Sequence, residues 1–574
     1  MFPRGTARSN FKHLRFTRFT RKYTKQASYV HHPGCEPLTY SNLGDVLEET
    51  VNKYPNRVAI KSIHENLEMT YEDLLNKADA LGCALRNNGF EKGDRLGIWS
   101  QNCSGWIISA IAAARAGLIS VMINSLYESS ELRHCINKIE LKGLVLGDNI
   151  SGKNYYEMLR QLIPELNNTK PGDLTSETLP SLKYLFSMGK NDLKGVYNVN
   201  SFTNEYNNKD TTKYRREIKP EDGAIIHFTS GSTGLPKGGL DSNFAVVNSA
   251  YFNGLRFGLH EEHHKICVQV PMFHALGSIV TVLGGLRHGA TLIIPSPTYS
   301  TAANINAMFN EKCTTITGTP TMYVDLLSQI RTRGELPAKL KVAMTAGAPC
   351  SPKIIQQIQQ HLADRVMGLY GLTESTGGVF QSFLEDSLEK VSDTVGCIQD
   401  HIEAKVVDEN GRPVPFGETG ELLLRGYCRM DSYWNDPEKT KESIDDDGWL
   451  HTGDIFKLSP DGYGTYIARS KDIIVRGGEN IAPKEIEDLL NTHPDIIECQ
   501  VLGIADERLG EELCAVVRIK SGAKISLEEV LSFCSKKIAK YKIPKVLKVI
   551  DDFPKSSTGK ILKTKLKEMI DRNS

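Results

Sequence analysis

The stretch Thr229-Ser230-Gly231-Ser232-Thr233-Gly234-Leu235-Pro236-Lys237-Gly238 has the residue types that hold a polyphosphate. Small residues let backbone N–H groups approach anionic oxygens, hydroxyls donate hydrogen bonds, and Lys237 brings a mobile positive charge. The string is not the common nucleotide-hydrolase loop, because Pro236 stands where the second glycine belongs. The same composition also describes a flexible surface turn. Its setting favours a ligand loop: Ala224 to Phe228 reads as a short buried strand, and Phe244 to Val247 as the start of a helix.

Five further strings follow in order: Tyr370-Gly371-Leu372-Thr373-Glu374, Thr452-Gly453-Asp454, Ala468-Arg469-Ser470-Lys471-Asp472, Arg476-Gly477-Gly478-Glu479-Asn480 and Pro554-Lys555-Ser556-Ser557-Thr558-Gly559-Lys560-Ile561. Each alone reads as a turn, a strand end or solvated surface. Together, and in this order, they resemble the adenylate-forming superfamily of acyl-CoA synthetases, luciferases and nonribosomal-peptide adenylation domains. Within it the pattern is most similar to the mitochondrial medium-chain acyl-CoA ligase group. Supporting strings are Gly318-Thr319-Pro320-Thr321-Met322, Arg425-Gly426-Tyr427-Cys428 and Tyr541-Lys542-Ile543-Pro544-Lys545.

The resemblance implies a role for each residue. Tyr370 packs on adenine, Thr373 contacts the α-phosphate and Glu374 binds magnesium, the hard cation a polyphosphate needs. Asp454 accepts from the ribose hydroxyls, which suits a carboxylate with two acceptor oxygens. Arg469 is a second ribose and phosphate contact, Lys471 is the hinge, and Gly478 belongs to a loop lining the thiol tunnel. Lys560 is the catalytic lysine, bridging the carboxylate oxygen and the α-phosphate where charge builds. Pro271-Met272-Phe273-His274 resembles the motif that gates the acyl tunnel, although His274 also reads as a satisfied polar residue at a strand end. Two positions depart from the family pattern: Ala468 replaces the more usual glycine, and Ser242-Asn243 replaces a Ser/Thr-His pair.

The implied reaction has two halves. A carboxylate attacks the α-phosphate of ATP to give acyl-AMP and pyrophosphate, and coenzyme A thiol then displaces AMP. The mixed anhydride hydrolyses easily, so water must be kept out while the thiol arrives. Rotation of a small lid about Lys471 lets one pocket serve both steps. Two rivals remain open: an adenylating enzyme for another carboxylate or acceptor, such as an aryl acid or a carrier-protein thiol, and a non-catalytic nucleotide or acyl-CoA binder.

The elements that must position these residues read as an α/β fold. Leu43, Val46, Leu47 and Val51 have helical spacing and stop before Pro55; Thr70 caps a second helix; Arg95 to Trp99 is a strand. Further strands are expected at Val268–Val270, Thr291–Ile294, Thr314–Thr317 and Lys341–Met344. Gly318 to Met322 and Thr345 to Pro349, with Gly347, fall at strand ends, where open α/β sheets place ligands. Residues 148–222 read as a loop-rich connection. The expected architecture is a large N-terminal adenylation domain of α/β sheets, residues 36–470, with a small β-barrel-like subdomain, and a small mobile α+β lid, residues 471–574.

Length and composition agree with several domains in one soluble-type chain of 574 residues. Formal net charge is zero, so bulk charge favours neither nucleic acid nor an acidic partner. The 12 cysteines form no CxxC pair, which argues against a zinc site or a disulfide scaffold. His263-His264 reads as part of a solvated loop. Eight basic residues from Arg4 to Lys25 precede the first acid, Glu36, with Phe11, Leu14, Phe16, Phe19 and Tyr23 between them. That composition reads as a mitochondrial transit peptide over residues 1–35 and a matrix location, against a basic tail or lipid-binding patch. The run Trp106 to Ile123 carries Arg115 and Gly117 and reads as a buried helix entering a strand rather than a membrane span.

Overall fold

The computed structural model describes residues 26–147, 154–189, 191–207, 209–229, 235–333, 338–476, 479–506, 508–535, 537–538, 540–556 and 559–571. Most of the leader, Ser230 to Gly234, Gly477, Gly478, Ser557 and Thr558 lie outside these residues.

Capping and periodicity build the first helices. Leu43–Lys53 turns Leu43, Val46, Leu47 and Val51 inward, and Asn42 caps it by accepting from Asp45 N. Thr70 and Asp73 form a reciprocal capping box on Tyr71–Asn87. Ser104–Ala116 is buried on nearly every face, ends at Gly117 with φ +73°, and feeds the buried strand Ile119–Ile123. Arg115 inside it donates to Asp79 Oδ2 at 2.7 Å, so its charge is paired within the core.

The first large sheet has eight strands in the order Ser432–Tyr433, Lys237–Ser242, Gly223–Thr229, Ile119–Ile123, Arg95–Trp99, Gly143–Leu146, Tyr184–Ser187, Tyr197–Asn198. From Gly223–Thr229 onward all neighbours are parallel. The second has nine strands and centres on Ala363–Leu372, Leu340–Ala346, Thr315–Gly318 and Lys265–Cys267. One apolar core, including Ile60, Ile98, Met122, Ile225, Leu292 and Met344, joins the two sheets and their helices.

Four expectations need correction. The sequence suggests that the phosphate loop runs from strand straight into helix, but strand Lys237–Ser242 intervenes and pairs antiparallel with Gly223–Thr229. The strands on either side of the loop are therefore antiparallel partners, and helix Asn243–Arg256 starts beyond the second with Ser242 as N-cap. Second, the strand expected at Val268–Val270 is Lys265–Cys267; the chain leaves the ladder before Pro271. Third, within 148–222 the sheet gains Tyr184–Ser187 and Tyr197–Asn198, so this segment is more than a connection. Fourth, the barrel-like unit is an open antiparallel sheet in the order Tyr29–His31, Ile402–Val407, Gly420–Gly426, Leu450–Leu458, Gly464–Arg469, and its end strands do not pair.

The chain leaves that sheet at Arg469, makes the short turn Ser470–Asp472, and enters a separate C-terminal sheet at Ile474. There Ile496–Asp506 and Gly510–Ile519 form a long hairpin, with Val546–Val549 parallel to its second strand. Helices Pro483–Leu490 and Leu527–Cys534 cover a core of its own, including Ile474, Ile486, Val501, Ala515 and Val530. Ser526 and Glu529 form a reciprocal capping box on the second of these helices. Among the described residues no helix is long and apolar enough to cross a membrane.

Candidate functional site

Asp454 and Arg469 lie opposite each other on adjacent antiparallel strands. Arg469 Nε is 3.4 Å from Asp454 Oδ1. Tyr370, near the end of Ala363–Leu372, donates its hydroxyl to Asp454 Oδ2 at 2.7 Å. Its ring packs edge-on to Phe456, with centroids 4.7 Å apart. Thr452 Oγ1 accepts from Asp454 N at 3.1 Å and donates to Leu422 O at 2.7 Å. Gly453 N donates to Glu421 Oε1 at 3.0 Å. Asp454 is 3% exposed. Burial raises its pKa, while Arg469, the Tyr370 hydroxyl and Lys560 act in the other direction.

The phosphate hairpin supplies a second group of residues. Lys237 Nζ stands 4.0 Å over the Tyr433 ring. Tyr433 lies on the short strand that pairs with Lys237–Ser242, opposite Gly239. Its hydroxyl donates to Glu374 Oε1 at 2.6 Å. Glu374 and Thr373 sit in the 3-10 turn Thr373–Ser375, which Ser375 Oγ braces by accepting from Leu372 N at 2.8 Å. Tyr433 thus joins the lysine of one motif to the carboxylate of another. Nothing in the sequence singles it out, because a lone tyrosine after Ser432 has no chemical signature. Leu235 is exposed at the hairpin, and Pro236 O is 3.0 Å from His134 Nε2. Among the described residues, the buried hydroxyl oxygen of Thr229 has no partner, as expected beside a polar ligand.

Lys560 approaches the Asp454–Arg469 pair from the C-terminal unit. Ser556 N donates to Lys560 O at 2.7 Å and Gly559 N to Ser556 O at 2.9 Å, closing a tight turn. Gly559 has φ +75°, and a Cβ there would stand 3.2 Å from Thr319 Oγ1. A side chain would therefore meet both strain and crowding at the seam. Lys560 is open to solvent on one side yet crowded by protein on the others. Crowding lowers its pKa first; Arg469 and Lys471 push the same way, and Asp454 and Asp472 oppose them. Lys560 in turn helps to depress His274, whose pKa is pushed down to about 3, first by burial and then by His227. His274 is thus neutral at physiological pH.

Gly347, with φ +81°, ends the strand Leu340–Ala346, and a Cβ there would stand 3.6 Å from Thr319 Cγ2. The strings around Thr319 and Gly347 are therefore neighbours, and Gly559 touches the first. Lys471 is exposed in the turn Ser470–Asp472 between the two units, within electrostatic range of Lys560. The expectations for Ser230, Gly231, Ser232, Thr233, Gly234 and Gly478 fall outside the described residues. His264 is buried, against the expectation of a solvated loop, whereas His263 is exposed as that reading has it. Their ring nitrogens lie 2.9 Å from Thr291 Oγ1 and 3.0 Å from Thr314 Oγ1, and burial lowers both pKa values.

Residues 47–434 match the family described as AMP-binding enzyme, and residues 485–560 match AMP-binding enzyme C-terminal domain. The chain is 38% identical over 557 residues to the Danio rerio medium-chain acyl-CoA ligase ACSF2, mitochondrial, covering 96% of this chain and 91% of that one. The human protein of the same description is 37% identical, with 95% and 90% covered. A putative acyl-CoA synthetase, YngI, of Bacillus subtilis is 32% identical, with 92% and 97% covered. Among solved structures, the anthranilate CoA ligase AuaEII with anthranoyl-AMP superposes with a TM-score of 0.82 at 25% identity, over 94% of this chain and 98% of that one. ATP-bound MatB from Rhodopseudomonas palustris shares the fold, with a TM-score of 0.80 at 24% identity and coverage of 92% and 99%.

Proposed function

The chain belongs to the AMP-binding enzyme family, and from that premise we propose that it is an ATP-dependent, AMP-forming acyl-CoA ligase whose acid is a medium-chain fatty acid. The observation that supports this reading best is the placement of Lys560, whose neighbour Gly559 packs against Thr319 of the large body. Lys560, carried by the C-terminal unit, reaches the field of the Asp454–Arg469 pair and of His274. A nucleotide held by that pair and an acid beside His274 would both lie within reach of one ammonium group.

In the first half-reaction the acid's carboxylate oxygen attacks the α-phosphorus, and pyrophosphate leaves. Lys560 offsets the charge that builds on the phosphate oxygens and holds the carboxylate against them. Asp454 accepts from the ribose hydroxyls, releasing the Tyr370 hydroxyl that occupies one of its oxygens. Tyr370 then offers its ring to the adenine. Thr373 donates to the α-phosphate, and the hairpin from Thr229 to Lys237 holds the outer phosphates. His274, being neutral, adds no charge to the mouth of an apolar acyl pocket. In the second half-reaction the coenzyme A sulfur, having given up its proton, attacks the acyl carbon, and AMP leaves.

A magnesium ion fits the phosphate end. Mg²⁺ takes one or two protein carboxylates and fills its other positions with phosphate oxygens and water. Glu374 offers such a carboxylate, and among the described residues no group of three or more His, Cys, Asp or Glu forms a closed cage. Bound there with ATP, the ion would neutralise polyphosphate charge. The two-unit division at Lys471, the lid rotation and matrix import through the basic leader complete the reading. Mitochondrial relatives support the import assignment, and the bacterial relative leaves room for another location.

A panel of acids from acetate to palmitate, plus benzoate, scored by AMP release with coenzyme A, tests the proposal. Greatest turnover on acids of about six to twelve carbons supports it; a preference for benzoate, or AMP release without acyl-CoA, overturns it.

A further inference from the structure

The large body buries an imidazole–carboxyl pair that the adenylation chemistry leaves unused. His227 lies on Gly223–Thr229 and Asp241 on its hairpin partner Lys237–Ser242, and each is 1% exposed. Asp241 Oδ2 is 3.4 Å from His227 Nδ1, and Asp241 Oδ1 accepts from Thr376 Oγ1 at 2.7 Å. On the other side His227 Nε2 is 2.7 Å from Ser278 Oγ, which donates to the His274 carbonyl at 3.0 Å. A continuous chain of polar contacts therefore joins Thr376, Asp241, His227, Ser278 and His274. It begins two residues after Glu374, crosses the phosphate hairpin, and ends on the residue at the acid end of the cleft.

Counting protons fixes how the chain works. A serine hydroxyl has one proton to give. When Ser278 gives it to His274 O, His227 Nε2 must be the donor in the other contact. Nδ1, on the other side of the ring, faces Asp241 Oδ2 at 3.4 Å, so the ring is held from both sides. Apolar residues of the same shape would serve stability at least as well as a buried pair like this one. What the pair provides is direction: it holds the Ser278 hydroxyl aimed at one carbonyl.

The segment it holds is unusual. Ser278 lies in the π-helix Leu276–Leu283, a geometry concentrated at functional sites. A Cβ on Gly277 would overlap the Pro271 carbonyl, so this turn is already packed to contact. Ser278, Val282 and Leu283 line an apolar cavity with Trp106, Ile107 and Ile225. A shift in the Ser278 contact would move both the His274 turn and that cavity wall.

We propose that His227 and Asp241 are positioning residues for the carboxylic-acid pocket, fixing the His274 turn through Ser278 and so setting affinity for the acid rather than the nucleotide. This rests on the acyl-CoA ligase reading. The test uses the full-length enzyme and its Ser278→Ala, Ser278→Thr and His227→Gln variants, with KM and kcat measured separately for acid and ATP. Ser278→Ala is the mild change and should keep the fold; it should raise the acid KM about fivefold, with kcat and the ATP KM within about twofold. Ser278→Thr, which keeps the hydroxyl, should restore it. His227→Gln leaves Asp241 short of its partner and should raise the acid KM further. An active wild type whose acid KM does not move in Ser278→Ala, or moves in step with the ATP KM, overturns this inference alone. A wild type that releases no AMP with any acid overturns the ligase reading, and this inference with it.

Discussion

Asp454 and Lys560 lie within electrostatic range of each other but are held in different ways. Asp454 sits inside a paired strand, 3% exposed, with Tyr370, Thr452 and Arg469 fixing it from three directions. Lys560 sits on a solvent-facing turn braced by its own neighbour Ser556, in a unit with a separate core. A group that grips the nucleotide throughout both half-reactions gains from rigidity. A group wanted in only one of them must be able to leave, and a short turn on a separately folded unit allows that.

The largest effect expected is from Lys560→Ala. It should slow adenylation by roughly a hundredfold or more, yet spare thioester formation from supplied acyl-AMP. Rapid-quench assays of the two halves check it, and equal losses would erase the contrast with Asp454. For Asp454→Asn both halves should weaken together, by roughly thirtyfold in nucleotide affinity. A loss confined to one half would show that the two ends do not differ as argued. Lys471→Pro should stiffen the turn between the units and slow the thioester half about tenfold while leaving adenylation near normal; the reverse pattern would move the pivot elsewhere. Because crowding and Arg469 lower the Lys560 pKa, and the ammonium is the working form, adenylation should fail at lower pH than an ordinary lysine would dictate. Lys560→Arg should push that alkaline limb upward, since guanidinium stays charged; an unmoved limb assigns it to another group. The smallest change expected is Tyr433→Phe, about threefold in the ATP KM, from loss of the hydroxyl that aims Glu374.

Helices with strong caps are legible in the sequence itself. Thr70 with Asp73 and Ser526 with Glu529 both form reciprocal boxes, because an N-cap is decided by residues three apart. Helix Pro483–Leu490 starts on a proline at its first position, where the missing N–H costs nothing. Strands are harder to read. Lys237–Ser242 contains Gly238, Gly239 and Asp241, all poor strand formers, and becomes a strand only because neighbours on both sides supply ladder partners. Lys265 to Val270 is rich in β-branched residues (Ile266, Val268, Val270), yet pairing stops at Cys267, where the chain turns toward Pro271. Tyr433 and the His227–Asp241 pair carry no sequence signal for a related reason: their meaning lies in contacts spanning 59 and 14 positions.

The sequence alone supplied candidates for holding phosphate, ribose and carboxylate, because short strings of suitable donors and acceptors stand in the order that a known family's motifs have. It also determined the α/β alternation, because periodicity and capping are local. Only the tertiary structure decided that antiparallel partners flank the phosphate loop, that Tyr433 links Lys237 to Glu374, and that Lys560 lies within electrostatic range of Asp454. Those facts depend on which strands find partners and which surfaces meet, and burial and pairing across distant residues are not encoded in any single stretch.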